Sequence, residues 1–345
     1  MCWAGGKHRN LISQSNRREL LISNESFNNM KPHLRRIGAG FCGTIWAAVD
    51  DGPAYKREDG GPDRSLKNDH DMHQLIQHSL KQVMIQVPVC YNLLTPADSW
   101  WNENLALFPP GYEPCSMIHA QRIPPINEET RRFITERYCP QQLIAEILVS
   151  DANHDCLIRP YLGRRRVQAP QSHSRFKAFS LRNYPLHVDQ MEEIGIPEGD
   201  MIRYARTMAE ALAMMHWVAE VDANDVEFVL AAPNHAAASD NSTPKPYSNV
   251  LGQHHMWMLD FDLVRTMTMD ENGIQQAVKA FWKNDPFFPR PNNGHSRLWG
   301  AFREQYLETS IRCISEKRPV NREKLALPAH FIHSLEERDH KSADN

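Results

Sequence analysis

Apolar positions come in short runs at the front of the chain and in helical stripes farther along. Between residues 33 and 55 two apolar stretches flank a set of glycines, and the turn Asp50-Asp51-Gly52-Pro53 follows, a pattern that predicts a β-hairpin and a further short strand. Residues 65–80 predict a helix on which Leu66, Met72, Leu75, Ile76 and Leu80 share a face. Stretches 83–94 and 115–123 read as strands, separated by a loop that holds Trp100, Trp101 and the turn Pro109-Pro110-Gly111. Asn127 can cap a helix with Glu128 and Glu129 in its first turn, and residues 131–149 carry apolar side chains at helical spacing. The strongest stripe, over 198–219, places Met201, Ala205, Met208, Leu212 and Met215 at alternating steps of four and three, which marks a core face. A low-complexity loop is expected over 231–249, then the apolar strand Met256-Trp257-Met258-Leu259 ending in Asp260-Phe261-Asp262, then helices over 272–283 and 297–315.

These elements divide the chain into a flexible leader over 1–30, a small β-rich first lobe over 31–126, a mainly helical second lobe over 127–320 and a polar tail over 321–345, of which about the last fifteen residues are charged and expected to fray. With 345 residues the chain can bury a sizeable core in one two-lobed domain. Hydrophobic residues at 41% and charged residues at 23% are those of an ordinary globular protein.

Charge and cysteine usage narrow the function. The formal charge of -3, from 39 basic and 42 acidic side chains, gives no general reason to bind nucleic acid, and the run Arg164-Arg165-Arg166 is the one local exception. Seven cysteines lie scattered, with no CxxC pair and no zinc-finger spacing, so no zinc is expected. The odd cysteine count and the absence of a signal-peptide pattern suggest reduced thiols and an intracellular, cytoplasmic or nuclear setting. No apolar run reaches the length that crosses a bilayer, and no membrane partner is expected.

The candidate chemistry begins at Gly38-Ala39-Gly40-Phe41-Cys42-Gly43, a GxGxxG pattern that two unrelated nucleotide folds share. A dinucleotide-binding fold needs a long helix to open at the third glycine, and the turn at Gly52-Pro53 leaves no room for it. A kinase-type hairpin, whose glycines let backbone amides approach phosphate oxygens, fits better; the bland alternative is an ordinary glycine turn. Ala54-Tyr55-Lys56 then supplies a lysine on the next strand, where a kinase holds the α and β phosphates, and Asp69 on the following helix is the preferred ion-pair partner, with Asp71 also available. Asp222 and Glu227 stand five positions apart before an apolar strand, the interval between a catalytic aspartate and a metal-binding asparagine. Glutamate replaces that asparagine, and Glu220-Val221 replaces the usual His-Arg. Asp260, ahead of Phe261, matches the metal-binding aspartate of a DFG element, with Asp262 in place of its glycine. The reading is therefore an α+β, protein-kinase-like two-lobed fold: Gly38, Gly40, Gly43, Lys56 and Asp69 hold ATP, Glu227 and Asp260 hold Mg2+, and Asp222 is the catalytic residue.

The chain also resembles a fungal family of domains of unknown function, family 3669, whose members are often called zinc-finger proteins. The stretches that carry the resemblance are Ser180-Leu181-Arg182-Asn183-Tyr184-Pro185-Leu186, the segment from Asp222 to Leu230, Leu259-Asp260-Phe261-Asp262, and Asn284-Asp285-Pro286-Phe287-Phe288-Pro289-Arg290-Pro291. The resemblance implies a fungal protein and carries no established activity. Three readings stay open: a Mg-ATP-dependent phosphotransferase with a small-molecule acceptor, a catalytically impaired pseudokinase that binds a protein partner, and a nucleic-acid-associated protein. The stretch from Asn284 to Pro291 is expected to pack the lower lobe, with an acceptor pocket as the alternative.

Overall fold

Glycines at a tight turn between two antiparallel strands shape the first sheet. Strand β1 (Arg35–Gly40) turns into β2 (Gly43–Ala47), which pairs in turn with β3 (Ala54–Arg57). A computed structural model describes residues 33–40, 42–49, 51–59, 65–80, 83–166, 179–233, 245–291, 296–317 and 322–343. The expected leader over 1–30 and residues 234–244 of the expected low-complexity loop lie outside the described residues.

Helix α1 (Leu66–Ser79) follows, capped by Ser65, whose side chain accepts from Asn68 N. Then come β4 (Cys90–Leu94), the short α2 (Trp100–Asn104) and β5 (Met117–Ala120). The five strands form an antiparallel sheet in the order β1-β2-β3-β5-β4. Trp46, Tyr55 and Met117 on one face pack against Trp101 and Phe108, while Cys90 and Ile118 pack against Leu66 of α1. The strand expected to start at Val83 begins only at Cys90; Pro88 lacks the N–H that a ladder requires.

The second part opens with α3 (Glu128–Tyr138), capped by Asn127. The single helix expected to run to Val149 breaks at Cys139-Pro140, where proline cannot continue the backbone ladder, and resumes as α4 (Ile144–Val149). Next are β6 (Ile158–Tyr161), β7 (Tyr184–His187), α5 (Val188–Glu193) and α6 (Glu198–Met214), which continues through one π turn at Met215–Ala219. Strands β8 (Glu227–Ala231), β9 (Tyr247–Asn249) and β10 (Gly252–Leu259) precede α7 (Glu271–Lys283), α8 (Ser296–Glu316) and α9 (Leu327–Ala343). The result is a mixed α/β structure with a β-sheet lobe and a largely helical part. That helical part nevertheless holds a second five-stranded sheet, ordered β7-β6-β8-β10-β9, in which only β6 and β7 run parallel.

The expected polar tail is corrected by α9. Phe331, Ile332 and Leu335 are fully buried in the main core, where Phe331 meets His216, Phe281 and Tyr306. Burying three large apolar side chains outweighs the charge that surrounds them.

Candidate functional site

Residues from both sheets line one cleft of about 220 Å3. From the first sheet it is lined by Gly38, Gly40 and Gly43, by Ile37 and Ile45, and by Ala54 and Lys56. Asp69 projects into it from α1. The second part contributes Leu157, Arg159, Asn183, Glu227, Leu259 and Asp260. Ile123, Leu157 and Leu259 also pack on Val229, Ala231 and Trp257, so an apolar cluster joins the two parts beneath the cleft.

Gly43 is required by its surroundings. Its φ is +151°, and a Cβ there would stand 1.8 Å from the Arg57 carbonyl oxygen. Gly40 meets no such obstacle and leaves open space above the cleft.

Register places Lys56 between Ile45 on β2 and Ile118 on β5, with its side chain turned to the cleft. Its Nζ donates to Asp69 Oδ2 at 2.5 Å and to Asp260 Oδ1 at 2.7 Å. Burial pulls the ammonium pKa down, and the two carboxylates more than reverse that, holding it well above the usual lysine value. Asp69 is itself an anomaly on its helix, since it shares the buried face with Leu66, His73 and Ile76. Its second oxygen, Oδ1, accepts from Phe261 N at 3.1 Å, which ties α1 to the end of β10. Asp260 sits there with φ +66°, a left-handed conformation uncommon for a residue with a side chain.

Glu227 opens β8 opposite Leu259, and strand alternation turns it to the same side as Val229 and Ala231. Both of its oxygens meet Arg159 Nη2 at 2.5 Å. Burial pushes the Glu227 carboxyl up to about 7 against the opposing pull of Arg159. The other side of the guanidinium faces Asp285, with Nη1 3.6 Å from Oδ2.

Asp222, expected as the catalytic residue, is corrected by its position: it does not line this cleft. It is buried beside a second pocket with Asn224, Gln276 and Lys279. Oδ1 accepts from Asn224 N at 3.1 Å and from Arg265 N at 3.0 Å, and Oδ2 accepts from Gln276 Nε2 at 2.8 Å. A backbone bridge between Val221 and Thr266 fixes this orientation. The expected convergence of Asp222, Glu227 and Asp260 on a cation therefore reduces to Glu227 and Asp260. Mg2+ can be held by one or two carboxylates with phosphate oxygens, but here each carboxylate is engaged by a cationic side chain, so the set does not fit the ion as expected. Among the described residues no group of three or more His, Cys, Asp or Glu is arranged to hold a metal.

Sequence reasoning missed Arg159. The available signal was a charged residue inside the apolar run Leu157-Ile158-Arg159-Pro160-Tyr161-Leu162. Asn284 to Arg290 has a structural role in the lower lobe. Asn284 Oδ1 accepts from Asp225 N at 2.6 Å and Nδ2 donates to the Ala223 carbonyl at 2.9 Å, Phe287 and Phe288 are fully buried, and Asp285 accepts from Tyr161 Oη at 2.5 Å. The arginine run is engaged along α5: Arg165 pairs with Glu192, and Arg166 with Asp189 and Glu193. No helix among the described residues is long and apolar enough to cross a membrane.

Comparison with known proteins gives two likenesses. Residues 256–318, which include the end of β10, α7 and α8, match the model of a family of domains of unknown function described as zinc finger protein. A solved structure, a mutant aminoglycoside 2'-phosphotransferase-IIIa in complex with GDP, is similar at 8% identity over 96% of this chain and 100% of that one. Its TM-score of 0.23 is too slight to bear on fold or function. No curated protein matches.

Proposed function

We propose that the cleft binds a nucleoside triphosphate such as ATP, in a protein-kinase-like arrangement, and that the chain acts as a catalytically impaired, intracellular binding module. The observation that carries this reading is Lys56, which reaches from β3 beneath the glycine hairpin to Asp69 on the next helix and to Asp260 after β10. A kinase uses a lysine on that strand for the phosphates, an acid on the following helix to hold it, and an aspartate at that place near the phosphates. Ile37, Ile45, Ala54 and Leu259 supply apolar walls that suit a purine ring.

The impaired reading is favoured over a phosphotransferase by Asp222. A base that accepts a proton from an acceptor hydroxyl must lie within hydrogen-bond reach of it, and the Asp222 carboxylate is instead engaged by two backbone amides and Gln276 outside the cleft. A nucleic-acid role finds little support, because Arg165 and Arg166, two of the three arginines in the run, are paired with acids of their own lobe.

A thermal-shift titration with ATP tests the proposal on the wild type and on Lys56→Met. ATP should stabilise the wild type and leave the variant unmoved. An unshifted wild type at millimolar ATP would remove the nucleotide reading.

A further inference from the structure

We infer that Arg159 occupies the role of a divalent cation in this cleft, so that the nucleotide phosphates are bound without Mg2+. The inference rests on the nucleotide reading above and concerns what neutralises the phosphates.

A divalent ion at a phosphate site needs carboxylate oxygens free to face it. Asp69 and Asp260 share Lys56, and both Glu227 oxygens contact Arg159. Asp155, which also lines the cleft, pairs with Arg122 at 2.6 Å and with Arg35. Seating an ion between Glu227 and Asp260 would pull Glu227 away from Arg159 and leave a poorly solvated guanidinium without its main partner, which is costly.

Arg159 itself is built to meet an anion. It lies on β6 on the same side as Leu157, lines the same cavity as the three glycines, and its side chain is 18% exposed. Both Glu227 oxygens contact Nη2, Asp285 Oδ2 stands 3.6 Å from Nη1, and the buried Nε has no hydrogen-bond partner. Glu227 pairs across the sheet with Leu259, the residue before Asp260, so this guanidinium is anchored beside the Lys56 and Asp260 pair. The guanidinium keeps its charge at any working pH, and each of its remaining N–H groups makes a charge-assisted hydrogen bond to a phosphate oxygen. Lys56 and Arg159 then flank the phosphates as two fixed cations.

The test is isothermal titration of ATP into the full chain in EDTA and in excess Mg2+. The wild type should bind in EDTA, with little gain from Mg2+. Arg159→Met alone would leave Glu227 buried and unpaired, so the double variant Arg159→Met with Glu227→Gln is compared with Glu227→Gln alone, and circular dichroism checks that both fold. The double variant should bind ATP in EDTA about tenfold more weakly or worse, as expected on losing a charged hydrogen-bond donor. Wild-type binding that appears only with Mg2+, or equal affinities of the two variants in EDTA, overturns the inference and leaves the nucleotide reading standing. Absence of ATP binding by the wild type in both conditions overturns both.

Discussion

Lys56 Nζ stands 2.5 Å from Asp69 Oδ2, an ion pair that ties the third strand of the first sheet to the helix behind it. The two side chains are 15% and 4% exposed, so the pair is poorly solvated and neither charge is comfortable alone. Lys56→Met and Asp69→Ala should each lower the unfolding free energy by about 3 kcal/mol, and the double variant should cost little more than either one. Urea denaturation of the four proteins measures this coupling. Strict additivity would mean that the contact contributes nothing.

Asp222 provides the sharpest separation of stability from binding. Its carboxylate accepts from Asn224 N, Arg265 N and Gln276 Nε2, and the residue does not line the main cleft. Asp222→Ala should destabilise the chain by about 3 kcal/mol through lost charged hydrogen bonds, while ATP affinity in the folded variant stays within about twofold of wild type. Loss of ATP binding by a folded Asp222→Ala protein would put this residue back at the site.

The hairpin glycines make unequal demands. A methyl group at Gly43 would collide with the Arg57 carbonyl oxygen and would have to tolerate φ +151°, whereas one at Gly40 meets open space. Gly43→Ala should cost roughly 2 to 3 kcal/mol and Gly40→Ala less than about 0.5 kcal/mol. Thermal melts of the two variants, read side by side, test the close approach of β3 to Gly43 at the start of β2; equal melting temperatures would contradict it.

Local patterning made much of this fold legible. The stripe Met201, Ala205, Met208, Leu212 and Met215 is buried in full, and Lys56 follows from a hairpin whose strands are close in sequence. What escaped notice depends on distant partners. The side to which Asp222 turns is decided by Arg265 and Gln276, and the role of Glu227 by Arg159, each more than forty positions away. The pairing of β6 with β7 and β8 likewise joins segments whose order in the sheet no periodicity records. At the C-terminal end, Phe331, Ile332 and Leu335 have the spacing of a buried helix face, but the charged residues around them dominate the local composition.

His216 and His254 make stability depend on pH in a direction their environments dictate. His216 is enclosed between Tyr306 and Phe331, and burial pushes its pKa down to about 3. Trp217 Nε1 donates to Tyr306 Oη, and His216 Nδ1 shares a 2.8 Å hydrogen bond with the same hydroxyl, while burial keeps the ring neutral. Burial likewise pushes His254, held between Tyr204 Oη and the Gly252 carbonyl, down to about 4. Above the unfolded-state pKa near 6.5 both rings are neutral in either state and stability does not respond to them. As pH falls below 6.5 the unfolded chain takes up protons that the folded chain refuses. Each histidine then removes about 1.4 kcal/mol per pH unit, until the pH reaches its folded pKa and the loss is complete. Glu227, raised to about 7 by burial, takes up its proton first in the folded chain and offsets about one histidine's share over the same interval. Urea denaturation between pH 7 and pH 5 should show the net fall, and His216→Leu should reduce its slope by about 1.4 kcal/mol per unit. An unchanged slope in that variant would mean that His216 takes up its proton in the folded core as readily as in the unfolded chain.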